Sequence, residues 1–499
     1  MSIDEFTNAG GDAFHQESLR EGLRGRRDFL RDLSHGLGGI ALASLLRRDG
    51  LLRAEEPSAG ARGVATHHAP KARRVIQIFL AGGLSHVDSF DYKPELEKWH
   101  GRTPGDIDKA QLFGGNYGPL HRSHFPFQRR GDSGQWMSDL FPHINDLADE
   151  LTFIRSMVSL SADHAPATYV AHTGFREAGF PAMGAWLSYG LGNETDDLPE
   201  FVVIPDSRGL PDGGASNWSS GFLPARHQGV PFRNGPRPVK DLAATKLLTE
   251  EAQAARYSLL AEMNRRHLAD RPGEDALSAR IRGYELAARM QSSVPEATEL
   301  GRESRATHAL YGTGRKECAD FARSCLMARR LLERGVRFVQ LWSGGRLGAR
   351  EAWDAHEHVP SNHAGNAVRI DRPVAALLRD LKQRGLLDDT LVLFSTEFGR
   401  TPITQTDKSE KEGQLGLGRN HNPGGFSIWM AGAGLRPGLS YGGTDALGFK
   451  AIENPVTPPD FHATILHLLG IDHTRLTFHH GGIDRRLTNV SGRVLHELW

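Results

Sequence analysis

Cysteine is nearly missing from this chain: Cys318 and Cys325 are the only two in 499 residues. Their spacing suits one helical face, and neither belongs to a CxxC pair. That excludes a disulfide framework and a cysteine-rich zinc site, and it leaves the redox compartment unmarked. Net charge is missing too, with 60 Lys and Arg against 60 Asp and Glu. No overall field draws the chain to nucleic acid or an anionic membrane, so nucleic acid is not an expected partner. Long apolar runs are also absent. The stretch LSHGLGGIALASLL, Leu33 to Leu46, is Gly-rich and shorter than the ~20 residues that span a bilayer. No internal repeat or low-complexity tract follows it.

Histidine is abundant instead, at 24 residues, many beside Asp, Glu, Asn or Gly in loop-like segments. Scattered surface histidines are the plain explanation, and a metal or acid–base site is the sharper one.

Residues 1–70 read as a polar leader. Within it Gly25-Arg26-Arg27-Asp28-Phe29-Leu30-Arg31, followed by the mild apolar stretch, resembles a twin-arginine export signal. An amphipathic helix with a basic start is the alternative. Export implies the twin-arginine translocase as a transient partner and a periplasmic or cell-envelope location. Membrane contact would come only through this segment, if it is retained.

From residue 71 the pattern is globular. RRVIQIFL, ELTFIRSM, EFVVIPD, VRFVQLWS, TLVLFSTE and GFSIWMAG are short apolar runs read as buried strands. MGAWLSYGLG, CADFARSCLMARRLLERG and VRIDRPVAALLRDLKQRGLL read as helices, the last two closed by Gly335 and Gly385. Strands alternating with helices predict an α/β fold over residues 71–499, a mostly parallel central sheet flanked by helices. Residues 240–330 read as a mainly helical insertion.

Ligands of such sheets bind beyond the carboxyl ends of the strands. The segments there carry Ser85, His86, Asp88 and Asp91; Ser159, Ser161, Asp163, His164 and His172; Asp354, His356, His358 and His363; and Glu397 with Arg400. Arg419, Asn420 and His421 precede the last strand. Turn carboxylates, caps and loop histidines account for each singly, but five such segments on one edge suggest a metal-assisted hydrolase. Hydrolysis of a phosphate or sulfate ester needs positive charge and an activated oxygen, which a divalent ion supplies. Asp354, His356 or His358, and His421 are the expected main ligands of zinc, calcium or magnesium. Glu397 and Asp88 would complete the set or hold a second, weaker ion. Arg400 suits bidentate contact with a substrate oxyanion. Ser159 or Ser161 is the candidate nucleophile, and His164 a candidate catalytic or orienting group.

FLAGGLSHVDSFDYKPEL, WDAH, STEFGRTP, GRNHNPGGFSIWMAGAG and the tail YGGTDALGFKAIENPVTPPDFHATILHLLGID closely resemble the DUF1501 family, over roughly residues 72–499. That family is similar in fold to the alkaline phosphatase/sulfatase superfamily. The resemblance implies that Asp354 with His358, or with His356, joins His421 on one metal. It also implies a second-metal position at Glu397-Phe398-Gly399, where phenylalanine replaces the usual imidazole. The first strand ends in Ala81-Gly82-Gly83 where the superfamily has Asp, with Asp88 as the nearest substitute. No C-x-P-x-R motif surrounds either cysteine, so a formylglycine sulfatase is not expected. The expectation is an exported metal-dependent hydrolase of a small-molecule or polysaccharide phosphate or sulfate ester. The rival is an inactive member that binds an envelope polysaccharide or protein.

Overall fold

The computed structural model describes residues 66–103, 116–235, 237–240, 242, 249–271, 275–345, 352–406 and 415–499. All lie in one contact unit, Arg62–Trp499. The twin-arginine segment expected within residues 25–46 lies outside them. Among the described residues no helix is long and apolar enough to cross a membrane.

The apolar runs form the strands of one sheet, and apart from Arg74 and Arg155 their residues are all buried. β1 (Arg74–Leu80), β3 (Thr152–Met157), β4 (Phe201–Ile204), β6 (Phe338–Ser343), β7 (Thr390–Ser395) and β10 (Phe426–Ala431) are its main strands. The short strands β5 (Val230–Pro231) and β11 (Ser440–Tyr441) close its two edges. The order is β11-β3-β10-β7-β1-β6-β4-β5. β1 pairs in parallel with β6 and β7, and β6 with β4. β10 runs antiparallel to β3 and to β7.

Successive side chains on a strand point to opposite faces, and both faces of this sheet are covered. Ile76, Ile78 and Leu80 join Val339, Leu341, Val392 and Phe394 on one side, against α5 (Ala319–Glu333) and α6 (Val359–Gln383). Val75 and Phe79 join Phe338, Trp342, Leu391 and Leu393 on the other, against α2 (Met183–Leu191) and α7 (Pro458–Leu468). Within residues 240–330, α3 (Glu250–Ala269) and α4 (Asp275–Thr298) precede α5, and Met290, Val294 and Ala297 of α4 enter the first core.

A smaller antiparallel sheet bears on the site. Its order is β9 (Gly418–Asn422), β8 (Gly399–Thr406), β2 (Asn116–Leu120). β8 starts shortly after β7 ends, and it pairs Arg400 with His421.

Candidate metal centre

The parallel strands end at one edge of the main sheet, and the reversed β10 begins there. Residues that follow β1, β3, β6 and β7 therefore meet residues that precede β10. Glu397 follows β7 directly. His164 opens α1 (His164–Thr173), the helix after β3. Asp354 and His356 follow β6, and His421 sits on β9, just ahead of β10.

Four donor atoms converge: His164, Asp354, His356 and His421 each offer one, all within 4.8 Å of one another. Asp354 Oδ1 lies 2.9 Å from His356 Nε2 and 3.4 Å from both His164 Nε2 and His421 Nε2. His356 Nε2 and His421 Nε2 are 2.9 Å apart. A tetrahedral ion with donors at roughly 2.0–2.1 Å has donor–donor edges of about 3.3–3.4 Å. The four separations above, 2.9–3.4 Å, lie near those edges, and the remaining pairs are within 4.8 Å.

The outer nitrogens explain why Nε2 faces inward. His164 Nδ1 is 2.8 Å from Glu397 Oε1, His356 Nδ1 is 2.6 Å from Gln405 Oε1, and His421 Nδ1 is 2.6 Å from the Ala162 carbonyl. An acceptor at each Nδ1 favours the tautomer whose Nε2 lone pair faces the others, the form a metal needs. His164 Nε2 is buried and makes no hydrogen bond, although Asp354 is near. A buried polar atom so placed is one that a bound ion would satisfy.

Burial and neighbouring charges set the ionisation of each group. Burial alone would raise the Asp354 carboxyl, but the Arg400 guanidinium and the three imidazoles hold it far below the usual carboxylate range. Burial works against a charged His164, and its contacts with the Asp354 and Glu397 carboxylates overcome it, raising the imidazole to about 9, so a metal would have to displace a proton from this ring. Burial lowers His421 to about 3, opposed by Asp354 and reinforced by Arg400.

The other expected residues lie around this cluster rather than in it. Glu397 is a support: Oε1 accepts from Gly82 N at 2.7 Å and from His164, and Oε2 is 3.1 Å from Thr396 Oγ1. Arg400, expected to grip a substrate oxyanion, is fully buried and donates to Asp354 Oδ1 at 2.6 Å and to the Gly82, Gly83 and Arg419 carbonyls. Its guanidinium orients Asp354 instead. Asp88 is buried against Arg419 Nε at 2.7 Å. His358 is the N-cap of α6, accepting from Ser361 N at 3.2 Å. Ser161 Oγ accepts from Asp163 N at 3.1 Å. Ser159 borders a chamber of about 20 Å³ that Glu397 also lines. The supports Gln405 and Ala162 O were not anticipated, and no local motif marks them.

A cavity of about 490 Å³ opens beside the cluster, with His164, Asp354 and Glu397 on one wall and Gly82, Thr168 and Asp212 among its other lining residues. That size admits a small ester or the end of a longer chain.

A family model described as "Protein of unknown function (DUF1501)" matches residues 72–499. No curated protein matches the sequence. Among solved structures the chain is similar to the lipoteichoic acid synthase LtaP from Listeria monocytogenes, at 10% identity and TM-score 0.34, covering 82% of this chain and 76% of that one. It is also similar to the PsFucS1 sulfatase from Pseudoalteromonas sp., at 13% identity and TM-score 0.32, covering 80% and 68%. Alkaline phosphatase from the Antarctic bacterium TAB5 is similar at 12% identity and TM-score 0.30, covering 73% and 92%.

Proposed function

Because the chain belongs to the DUF1501 family, a family of unknown function, its activity has to be argued from the site, and we propose an exported, metal-dependent hydrolase of phosphate or sulfate esters. The carrying observation is the convergence of three imidazole Nε2 atoms and one carboxylate oxygen beside an open cavity. Three nitrogen donors favour zinc or another borderline first-row ion over calcium or magnesium, which prefer oxygen shells. When bound, the ion would act as a Lewis acid on the ester and lower the pKa of water towards ~7.

The protein's own residues do the remaining work. Glu397, Gln405 and Ala162 O hold the three Nδ1 protons, so each ring keeps one orientation. Arg400 holds Asp354 Oδ1. Water in the cavity would supply the attacking oxygen: Thr168 is the hydroxyl-bearing residue among its described lining, and its Oγ1 donates to the His164 carbonyl at 2.7 Å.

The test is to load metal-depleted protein with Zn²⁺, Mn²⁺ or Co²⁺ and to assay aryl sulfates, phosphate monoesters and phosphodiesters beside His421→Ala. Turnover that needs the ion and is lost in the variant supports the reading. An ion-loaded wild type that hydrolyses none of these esters sinks it.

One observation favours a second reading, an inactive member that binds an envelope polysaccharide or protein. Four protein donors fill a tetrahedral shell, the composition of a structural zinc site rather than a catalytic one with an open corner. Binding of a polysaccharide without turnover would favour it.

A further inference from the structure

We infer that the centre takes one ion and no second, with the buried guanidinium of Arg400 as the fixed positive charge behind Asp354. This rests on the metal-site reading above and narrows it. Among the described residues, Glu397 and Asp88 are the two carboxylates expected from the sequence to hold a second ion, and both are already engaged. Glu397 accepts from Gly82 N at 2.7 Å and from His164 at 2.8 Å, and it meets Thr396 Oγ1 at 3.1 Å. Asp88 accepts from Ser85 Oγ at 2.5 Å, His124 N at 2.7 Å and Arg419 Nε at 2.7 Å.

Away from the cavity, the Phe398 side of Glu397 is also occupied. The Phe398 ring is buried, 4.4 Å from the His421 ring and 5.0 Å from the His164 ring between centroids. On its other side the Gly83 turn approaches so closely that a Cβ there would lie 2.7 Å from the ring. Arg400 and Arg419 are both fully buried and tied to backbone carbonyls. A second divalent ion would have to strip donors from two carboxylates and sit beside two immobile guanidinium groups in a low-dielectric interior. Arg400 is thus a positioning residue. It aims one oxygen of Asp354 at the three imidazoles, a task that needs the planar fork of Arg and not only its charge.

The experiment is a Co²⁺ titration of the metal-depleted full chain, read by visible absorption, with elemental analysis after dialysis in Zn²⁺. A break at one equivalent, and one zinc per chain, is expected. Two tight equivalents overturn this inference and leave the metal centre standing. No bound ion overturns both. Arg400→Lys is expected to raise the Co²⁺ Kd about 10-fold and to alter the absorption envelope, at the scale of other losses next to metal ligands. A folded Arg400→Lys with wild-type Kd and spectrum overturns the positioning role.

Discussion

Glu397→Gln tests the centre most directly, because it removes one charge and almost no shape. Glu397 is 2% exposed, and its Oε1 alone accepts from both His164 Nδ1 and Gly82 N. A glutamine oxygen can keep both bonds, while the new amide group can donate to Thr396 Oγ1, which itself donates to the Leu80 carbonyl. The fold is therefore expected to survive. The exchange of charge-assisted hydrogen bonds for neutral ones costs about 1 kcal/mol, partly offset by removing a buried charge. His164 loses its carboxylate partner and becomes a poorer donor. Carboxylates that support metal-bound histidines are worth 10–100-fold in affinity, or about 1.4–2.7 kcal/mol.

Glu397→Ala separates the two effects. It leaves the His164 Nδ1–H and the Gly82 N–H without an acceptor, at about 1–3 kcal/mol each. It is therefore expected to weaken metal binding and to destabilise the metal-free protein. Chelator competition gives the Kd for Zn²⁺, and urea unfolding of the metal-free proteins gives stability. The expected pattern is a weaker Kd in both variants and a clear stability loss only in Glu397→Ala. If Glu397→Gln binds Zn²⁺ as tightly as the wild type, within about 3-fold, then His164 does not ligate the ion and the four-donor reading is wrong.

Other consequences follow from the same contacts. At Zn²⁺ equal to 100 times its Kd the wild type is expected to gain about 2.7 kcal/mol of stability, and His421→Ala to gain little, read as Tm with and without chelator. Gly82→Ala is expected to cost about 2–5 kcal/mol in urea unfolding, because φ is +113° there and a Cβ would lie 2.6 Å from the backbone nitrogens of Trp353 and Asp354. An unchanged unfolding free energy in that variant would contradict the placement of Asp354. His172 and His462 are fully buried, and burial lowers them to about 3 and about 4. Each is neutral in both states above its unfolded value near 6.5 and stays neutral when folded as pH falls. The unfolded chain then takes up the protons, and stability drops by roughly 3 kcal/mol for each group between pH 6.5 and about 4. A His172→Leu variant is expected to lose less stability than the wild type between pH 7.5 and 4.5.

The strands were legible because each is a largely apolar run, and a sheet covered on both faces buries nearly every position. The edge on which the site lies followed from the α/β pattern. Strand direction was not legible, since nothing in FSIWMA says that it runs backwards. Yet that reversal brings His421, which precedes the strand, to the end where Asp354 and Glu397 follow theirs. The choice between His356 and His358 had a readable signal. Pro360 marks the first turn of α6, which makes His358 the cap, bonded to Ser361 N; His356 stays outside the helix and is free to turn inward. The fates of Asp88 and Arg400 had no such signal. Asp88 meets Arg419 across 331 positions, and Arg400 meets Asp354 across 46. Sequence alone reads an Arg near a candidate site as an anion grip. In a folded site the same guanidinium goes to whichever carboxylate is buried beside it, because an unpaired charge there costs more than an unheld substrate. The residues were nameable from composition and position, but their roles depended on which neighbours already satisfied them.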